Sequence, residues 1–308
     1  MTDDVHVSIC VCTYRREHVF VTLTSLSTLE IKDGWTVRVI VADNDVDPIA
    51  KAAITDHAAA LNLNLTYLHA PAHNISVARN ACLDEASGDY CLFIDDDEVV
   101  GPGWLGAMIA QARTSESAVV LGPVEAVYPD VTPDWIRAGD THSTYPVFVK
   151  GDIQTGYTCN VLLNLAAPSI VGRRFDLGRG KSGGEDTHFF YGVFKDGGKI
   201  TYAPSAVVRE PVPVDRANFS WLARRKFRAG QTHGRLIVET VAPSLPRKLA
   251  ILGITASKAL FCAFAAVLNG YSRSRFNKNL LRGSLHLGAI NGLFGGKEIV
   301  QYGQEENR

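Results

Sequence analysis

Short apolar runs alternate with helical patterns through the first 125 residues of this 308-residue chain. The runs are rich in β-branched residues, and the segments between them repeat apolar positions every three to four residues. This alternation predicts a mainly parallel sheet with helices on both faces, which binds ligands at the carboxyl ends of its strands. The predicted strands are Val5 to Thr13, Val37 to Asp43, Leu65 to His69, Tyr90 to Ile94 and Val119 to Gly122. The predicted helices lie within 17–29, 49–61, 76–86 and 104–113.

The fourth run leads directly into three carboxylates, Asp95, Asp96 and Asp97. Adjacent negative charges repel one another, and a divalent cation that bridges a diphosphate relieves the repulsion. Mg²⁺ and Mn²⁺ prefer carboxylate oxygens and leave positions open for phosphate. Alternate residues of an extended chain share a side, so Asp95 and Asp97 are expected to reach into one cleft while Asp96 points elsewhere. A D-x-D pattern alone is weak evidence, since a solvated strand end produces it too.

Polar side chains also follow the other predicted strands. The first strand ends at Thr13, with Arg15 two residues further on, and the second ends at Asp43. Arg79 lies one turn into the helix that follows the third strand, where it could meet a phosphate or a base carbonyl. Each of these residues alone indicates a turn or a cap. Their order along the chain indicates a nucleotide-binding edge.

Beyond residue 125 the alternation weakens. Residues 128–150 are rich in Pro, Asp, Thr and Tyr and predict either a loop-rich insertion over the site or a featureless connection. A strand candidate at 157–165 precedes a glycine-rich stretch and a helix that begins near Glu185 and ends at Asp196, where the following glycines permit a left-handed cap. Glu185 and Asp186 in the first turn suit the helix dipole, so alone they do not indicate catalysis.

The last part of the chain is basic and apolar. Between Arg209 and Arg282 there are fourteen Lys and Arg against three acids, so this segment carries +11 and the remainder −12. Such a basic segment indicates a phosphate-bearing partner or an anionic membrane surface. The alternative interpretation is a solvated helical face without a partner. The apolar run from Leu249 to Leu268 is long enough to span a bilayer. Lys258 near its centre makes insertion costly, so an in-plane membrane contact, an ordinary helical core and true insertion all stay open.

The six cysteines form no C-x-x-C pair, which argues against a zinc site or a disulfide framework. Most lie in apolar runs, where a free Cys behaves as a small buried hydrophobe, and this predicts a reducing, cytosolic compartment. The acidic N-terminus lacks a long apolar run, which argues against a signal peptide.

The motifs in this order resemble the inverting glycosyltransferases of family 2, over roughly residues 5–235. The resemblance implies a GT-A fold, a Rossmann-like nucleotide-diphospho-sugar transferase with a mainly parallel central sheet, followed here by a helical C-terminal extension. Within the family, the chain is similar to bacterial enzymes that extend lipid-linked repeat units of exopolysaccharides such as succinoglycan. The matching segments read SICVCTYRR, VADND, NISVARNAC, FIDDDE and GGEDTHFF.

The resemblance implies a role for each matching residue. Asp97 binds Mg²⁺ or Mn²⁺, and Asp186 is the general base that takes the proton from the acceptor hydroxyl. Aromatic faces pack on sugar rings and polar groups bond their hydroxyls, so Trp135, Asn160 and Glu185 are acceptor candidates. The donor-binding residues are Thr13, Arg15, Asp43, Arg79, Asp95 and Asp96.

The resemblance also implies an organisation and an activity. A catalytic domain covers 1–235, with a nucleotide-binding half at 1–125 and an acceptor half at 126–235, and a basic, apolar helical tail covers 236–308. The expected reaction is inverting transfer of a hexose, from UDP-glucose, to a saccharide or a lipid-linked oligosaccharide. The expected location is cytoplasmic, peripheral on the anionic inner face of the bacterial cell membrane, and no nucleic-acid partner is expected.

One feature of many GT-A enzymes has no clear match here. A late histidine often supplies a further metal ligand, but the region after Tyr202 reads VREP at 208–211. His188 and His233 are candidates by position only. A lone histidine is more often structural.

Two other functions fit parts of the pattern. A sugar-phosphate nucleotidyltransferase also builds a βα sheet and holds a metal with aspartates, but it needs a glycine-rich basic loop after its first strand. Residues 13–17 read TYRRE, without glycine. A non-catalytic nucleotide-sugar-binding relative could keep the fold and lose the chemistry, and the intact Asp95, Asp97 and Asp186 speak against this reading.

Overall fold

The computed structural model describes residues 4–240 and 244–299, in which strands and helices alternate. The strands are β1 (Val5–Thr13), β2 (Trp35–Asp43), β3 (Leu65–His69), β4 (Tyr90–Asp95), β5 (Val99–Val100), β6 (Val119–Leu121), β7 (Val124–Val127), β8 (Phe148–Val149), β9 (Asp152–Ile153), β10 (Asn160–Asn164), β11 (Ile200–Tyr202) and β12 (Val208–Pro211). The helices are α1 (Val19–Leu26), α2 (Lys51–Ala60), α3 (Ile75–Glu85), α4 (Trp104–Ser115), α5 (Asp134–Gly139), α6 (Glu185–Lys195), α7 (Phe219–Thr240), α8 (Leu245–Leu268) and α9 (Arg273–Leu293).

Seven strands form the central sheet, in the order β11-β6-β10-β4-β1-β2-β3. Neighbouring strands run parallel except β10, which is antiparallel to both β4 and β6. In register, Cys12 of β1 pairs with Asp95 of β4, and Thr13 pairs with Asp43 of β2. The predicted polar strand ends therefore meet at one edge of the sheet.

The sheet is covered on both faces, as a mainly parallel sheet requires. Alternate residues of β1, among them Val7 and Ile9, pack in one buried cluster with apolar residues of α1 and α4. Cys10, on the opposite face, belongs to a second cluster with residues of α3 and α6. All six cysteines are free thiols, and four of them, including Cys10, are buried.

The predicted strands and helices of the first half are observed with small shifts of their ends. The prediction for residues 128–150 is incomplete, because this segment contains α5 and the short strand β8. Within α5 only Trp135 and Ile136 are buried, and both are apolar. Two adjacent residues do not form a helical repeat of apolar positions, so the sequence did not indicate this helix. The predicted C-terminal helices are present as α7, α8 and α9.

The described residues form two compact units. The sheet unit comprises 4–126 and 143–211, and the helical unit comprises 127–142, 212–240 and 244–299. The helix α7 runs through the expected domain boundary at residue 235. The functional division at residue 235 stays a prediction. Of the predicted helical tail, residues 241–243 and 300–308 lie outside the described residues.

Helices α7 and α9 of the helical unit approach each other closely. A Cβ atom on Gly230 or Gly234 of α7 would lie 2.0–2.2 Å from backbone oxygens of α9. A Cβ on Gly288 or Gly292 of α9 would lie 1.9–2.3 Å from backbone oxygens of α7. The two Gly-x-x-x-Gly pairs thus allow backbone-to-backbone contact that no larger residue permits.

Candidate active site

The three adjacent carboxylates form a tight turn at the end of β4. The strand ends at Asp95, and the N–H of Glu98 donates to the C=O of Asp95 over 3.3 Å. Asp95 and Asp97 are partly exposed, whereas Asp96 and Glu98 are buried. These residues therefore follow a turn, and not the extended chain from which Asp95 and Asp97 were expected to share a side. We refer to residues 95–98 as the acidic turn.

Asp96 faces inward. Its carboxylate accepts a hydrogen bond from the Thr13 hydroxyl over 2.7 Å and one from Arg16 over 3.2 Å. Burial, the largest effect, raises the pKa of Asp96 to about 7, and Arg16 acts in the opposite direction. Because Thr13 and Asp96 are both buried and bind each other, their geometry favours support of the turn over the predicted direct contact with a donor.

Asp43 is also buried and bound within the protein. It accepts hydrogen bonds from the Tyr67 hydroxyl over 2.6 Å and from the N–H of Asp45 over 3.0 Å, which weighs against its predicted contact with the donor. Asp45 forms two hydrogen bonds with Arg15, at 2.7 and 3.0 Å. The hydrogen bond from Arg15 is the main cause that lowers the pKa of Asp45. Arg15 itself is more than half exposed, as a donor-binding cation needs to be.

Arg79 and Glu185 join two helices at the same edge of the sheet. Arg79 on α3 donates to the carboxylate of Glu185, the first residue of α6, and both side chains are buried. Glu185 is therefore turned into the protein, which weighs against its predicted contact with an acceptor. Asp186, the next residue, stays partly exposed and accepts the N–H of Thr187 over 2.6 Å.

Four charged residues of this region influence the pKa of Asp95. Burial raises the pKa of Asp95, and four charged neighbours act on it as well. Arg79 and Arg16 lower this pKa, whereas Asp97 and Asp186 raise it. The predicted base, the predicted metal ligand and the predicted donor-binding residue Arg79 thus lie within electrostatic reach of Asp95.

The site has the donor atoms that a divalent cation requires. Carboxylate oxygens of Asp95 and Glu98 and the Sγ of Cys159 lie within 4.8 Å of one another. Within 4–240 and 244–299 this is the one group of three such ligand atoms, so neither His188 nor His233 belongs to another. The carboxylate oxygens of Asp95 and the partly exposed Asp97 fit Mg²⁺ or Mn²⁺, whereas the Cys159 thiol is a soft donor and Oε2 of Glu98 already accepts the N–H of Asp95.

The two remaining acceptor candidates are packed inside the protein. Asn160 is fully buried, and its amide bonds the carbonyls of Pro123 and Ala206 and the indole N–H of Trp104. Trp135 is 8% exposed and packs in the core of the helical unit. This burial weighs against direct sugar contacts. Sequence alone could not reveal it, because the partners of Asn160 lie 37 to 56 residues away.

Two residues of the site were not among the sequence candidates. Arg16 donates to Asp96 and to Asp97, and so offsets part of the negative charge of the turn. Glu98 accepts the N–H of Asp95 over 2.8 Å. A fourth acid directly after FIDDD was the available signal for Glu98, since a side chain three residues on can reach back to the strand end.

Comparison with known proteins identifies the family of the chain. Residues 8–170, more than half of the chain, match the family model "Glycosyl transferase family 2". The chain is 50% identical over 304 residues to the succinoglycan biosynthesis protein ExoM of Rhizobium meliloti (strain 1021), covering 99% of this chain and 98% of that protein.

Solved structures share the fold at low sequence identity. The mannosyltransferase PcManGT from Pyrobaculum calidifontis, in complex with GDP-Man and Mn²⁺, superposes with a TM-score of 0.65 at 17% identity, over 96% of this chain and 89% of that one. TarS 1–349 of S. aureus in complex with UDP superposes with a TM-score of 0.54 at 16% identity, over 90% and 89%. The architecture is thus the GT-A-like fold. With the family match and the full-length relative, these findings show that the chain is an enzyme of glycosyl transferase family 2.

Proposed function

We propose that the chain transfers a hexose from a nucleotide diphosphate to a hydroxyl with inversion at the anomeric carbon. The observation that carries the proposal is the meeting of the ends of β1, β2 and β4 at one edge of the sheet, where Asp97 and Asp186 both influence the pKa of Asp95. Inverting transfer needs one base for the acceptor and stabilisation of the leaving diphosphate, and both kinds of group are present.

Asp186 is the proposed base. Its partly exposed carboxylate takes the proton of the acceptor hydroxyl as the hydroxyl oxygen forms a bond to the anomeric carbon. The bond from that carbon to the phosphate oxygen breaks on the opposite face, and the nucleoside diphosphate leaves with the electron pair. The product therefore has the inverted anomeric configuration, β from an α-linked donor.

Asp97 and Asp95 are the proposed ligands for Mg²⁺ or Mn²⁺. The cation, when bound, neutralises charge that develops on the leaving diphosphate. Arg15, which is more than half exposed beside Asp45, is the proposed donor-binding cation of the protein itself. The buried Thr13 and Asp96 support the acidic turn through their hydrogen bond to each other. The buried Asp43 supports Arg15 through Asp45, whose N–H it accepts.

The donor and acceptor are proposed from the relative. A protein named for succinoglycan biosynthesis shares half of its residues with this chain over its full length. We therefore propose UDP-glucose as the donor and a growing, lipid-linked exopolysaccharide as the acceptor. One structural neighbour was solved with GDP-Man and another with UDP, so the base of the donor is open to a direct test.

Turnover of two matched aspartate variants tests the base. Asp186→Asn keeps the size of the side chain and removes its basicity, so it should abolish transfer while donor binding stays nearly intact. Asp196→Asn, just beyond the other end of α6, is the control and should keep wild-type turnover. Near-normal turnover in Asp186→Asn would show that another group is the base.

We also propose that the protein works on the anionic inner face of a bacterial membrane. The chain has no Asp or Glu between Glu239 and Glu298, and eight Lys and Arg lie in that interval. A surface with one sign of charge attracts anionic lipid headgroups, by about 1 kcal/mol for each basic residue close to the membrane. The reducing compartment predicted from the free cysteines agrees with a cytosolic face.

Helix α8 supplies the proposed apolar contact. Within the described ranges it is the one helix long and apolar enough to cross a membrane, and only 17% of its apolar window is buried. Leu249, Leu260, Phe264 and Val267 project on one face at helical spacing and are 53–74% exposed. The opposite face, with Cys262 at its centre, is buried. A helix with one buried face and one exposed apolar face suits contact in the membrane plane and not a span.

Lys258 does not interrupt the exposed apolar row. It lies two residues before Leu260 and therefore about 200° around the helix from it. Its charge lowers the pKa of His233 and of His286, in each case after the larger effect of burial. Lys258 is exposed on the other side of α8 from that row, so an in-plane contact does not bury its charge.

A further inference from the structure

Glu98 closes the acidic turn from the inside. Its N–H donates to the C=O of Asp95 over 3.3 Å, and its carboxylate Oε2 accepts the N–H of Asp95 over 2.8 Å. The two residues thus exchange hydrogen bonds around Asp96 and Asp97. Because the Glu98 side chain is fully buried, these bonds are shielded from competition by water.

Helix α1 holds the other side of Glu98. The hydroxyl of Thr22 donates to the C=O of Glu98 over 2.8 Å, and the hydroxyl of Ser25 accepts the N–H of Val100 over 3.2 Å. Thr22 is itself buried. The turn is therefore tied to a helix of the sheet unit through two backbone groups that directly follow the Glu98 side chain.

We propose that Glu98 is a positioning residue, which holds Asp95 and Asp97 in the arrangement that binds the divalent cation. This inference rests on the proposed function of the acidic turn. Asp95, Asp96 and Asp97 repel one another, so a turn without its internal hydrogen bonds would let the carboxylates move apart. Residues that orient metal ligands from behind typically change metal affinity about 10–100-fold when they are lost.

Only one oxygen of the Glu98 side chain takes part in this arrangement. Oε2 accepts the Asp95 N–H, whereas the buried Oε1 has no hydrogen-bond partner in the described part of the chain. A glutamine can offer its carbonyl oxygen to the same N–H, and a leucine of similar size cannot. The pair Glu98→Gln and Glu98→Leu therefore separates the hydrogen bond from the volume of the side chain.

The test is a calorimetric titration of Mn²⁺ into the full chain in the presence of a fixed concentration of UDP, with the titration of Mn²⁺ into UDP alone subtracted. Glu98→Leu should bind Mn²⁺ about 10–100-fold more weakly than the wild type, and Glu98→Gln should retain most of the affinity. Thr22→Val loses the hydrogen bond from α1 to the C=O of Glu98, and it should weaken Mn²⁺ binding less than Glu98→Leu does. Ile54→Ala on α2 is the control, since it creates a cavity in the same unit and should lower Tm without changing Mn²⁺ affinity.

Three results would overturn the proposal. In the first, Glu98→Leu binds Mn²⁺ as tightly as the wild type does. In the second, Glu98→Gln loses as much Mn²⁺ affinity as Glu98→Leu. In the third, Ile54→Ala loses as much Mn²⁺ affinity as Glu98→Leu when the two variants lower Tm equally. A wild-type protein that binds neither UDP nor GDP in a Mn²⁺-dependent way would instead overturn the proposed function, and this inference with it.

Discussion

Arg79 and Glu185 are separated by 106 residues of sequence and form a buried ion pair between α3 and the first residue of α6. Removal of one partner leaves the other charge buried without compensation, which typically costs about 3–5 kcal/mol. Glu185→Leu should therefore lower the free energy of unfolding by about that amount in urea titrations.

The double variant Arg79→Met/Glu185→Leu separates charge from packing. Replacement of a whole buried ion pair by apolar side chains is often neutral or stabilising, so the double variant should recover much of the lost stability. It should not recover donor binding, because Arg79 also acts on Asp95. Equal losses in the single and double variants would contradict the importance of this pair for stability.

His142 makes the helical unit sensitive to acid. Its ring stacks on Trp221 with centroids 5.3 Å apart, and burial is the main cause that lowers the pKa of His142 to about 4. In the unfolded chain a histidine titrates near about pH 6.5. Between these values the unfolded chain binds a proton that the folded chain does not, so stability falls as pH decreases from about 6.5 to 4.

The variant His142→Gln removes this titration. Its free energy of unfolding should change less between about pH 7 and pH 4.5 than that of the wild type. Some slope should remain, because burial also lowers the pKa of His233 and of His286. Equal slopes in the two proteins would mean that His142 does not couple to folding.

Two glycine variants of the helical unit should change Tm in opposite directions. A Cβ on Gly288 would lie 1.9 Å from the carbonyl oxygen of Phe227, so Gly288→Ala must separate α7 and α9, at a cost of about 1–3 kcal/mol or more. A Cβ on Gly253 of α8 meets nothing within 4 Å, so Gly253→Ala should gain about 0.5–1 kcal/mol from helix propensity. Thermal unfolding of both variants checks the pair. A Gly288→Ala variant with the Tm of the wild type would contradict the close approach of α7 and α9.

Membrane binding should depend on the exposed row of α8. The double variant Leu260→Ser/Phe264→Ser removes two exposed apolar side chains, each of which contributes up to about 1.5–3 kcal/mol when fully buried. The measurement is co-sedimentation with vesicles that contain phosphatidylglycerol, compared with vesicles of phosphatidylcholine alone. The wild type should prefer the anionic vesicles, more weakly at high salt, and the double variant should bind at least tenfold more weakly.

Val131→Ser is the matched control for this experiment. Val131 is 71% exposed and lies in the helical unit outside α8, so its replacement should leave vesicle binding unchanged. If the double variant sedimented with vesicles like the wild type, α8 would not be the membrane contact.

The strand ends of the site were predictable from sequence because a parallel sheet brings them together by geometry. Asp95 and Thr13 each follow an apolar run, and the register of β1 with β4 and β2 places them at one edge. The start of α6 at Glu185 was also readable, since two acids follow a glycine pair there. Local pattern was sufficient for these elements.

The roles of individual polar residues were not predictable in the same way. Asp43, Asn160 and Glu185 looked available for ligands, but each is buried and bonded to partners that lie 24 to 106 residues away. Trp135 had no periodic context that marked it as a core residue. Whether a polar side chain faces a ligand or the protein depends on tertiary contacts, which spacing does not contain.

The most direct test of the account is a calorimetric titration of UDP into the wild type and into Asp97→Ala, with Mn²⁺ and with EDTA, and with GDP as the comparison nucleotide. We expect that UDP binds the wild type with Mn²⁺, that EDTA abolishes this binding, and that Asp97→Ala weakens it. UDP binding that is unaffected by EDTA and by Asp97→Ala would contradict the proposed metal-dependent donor site.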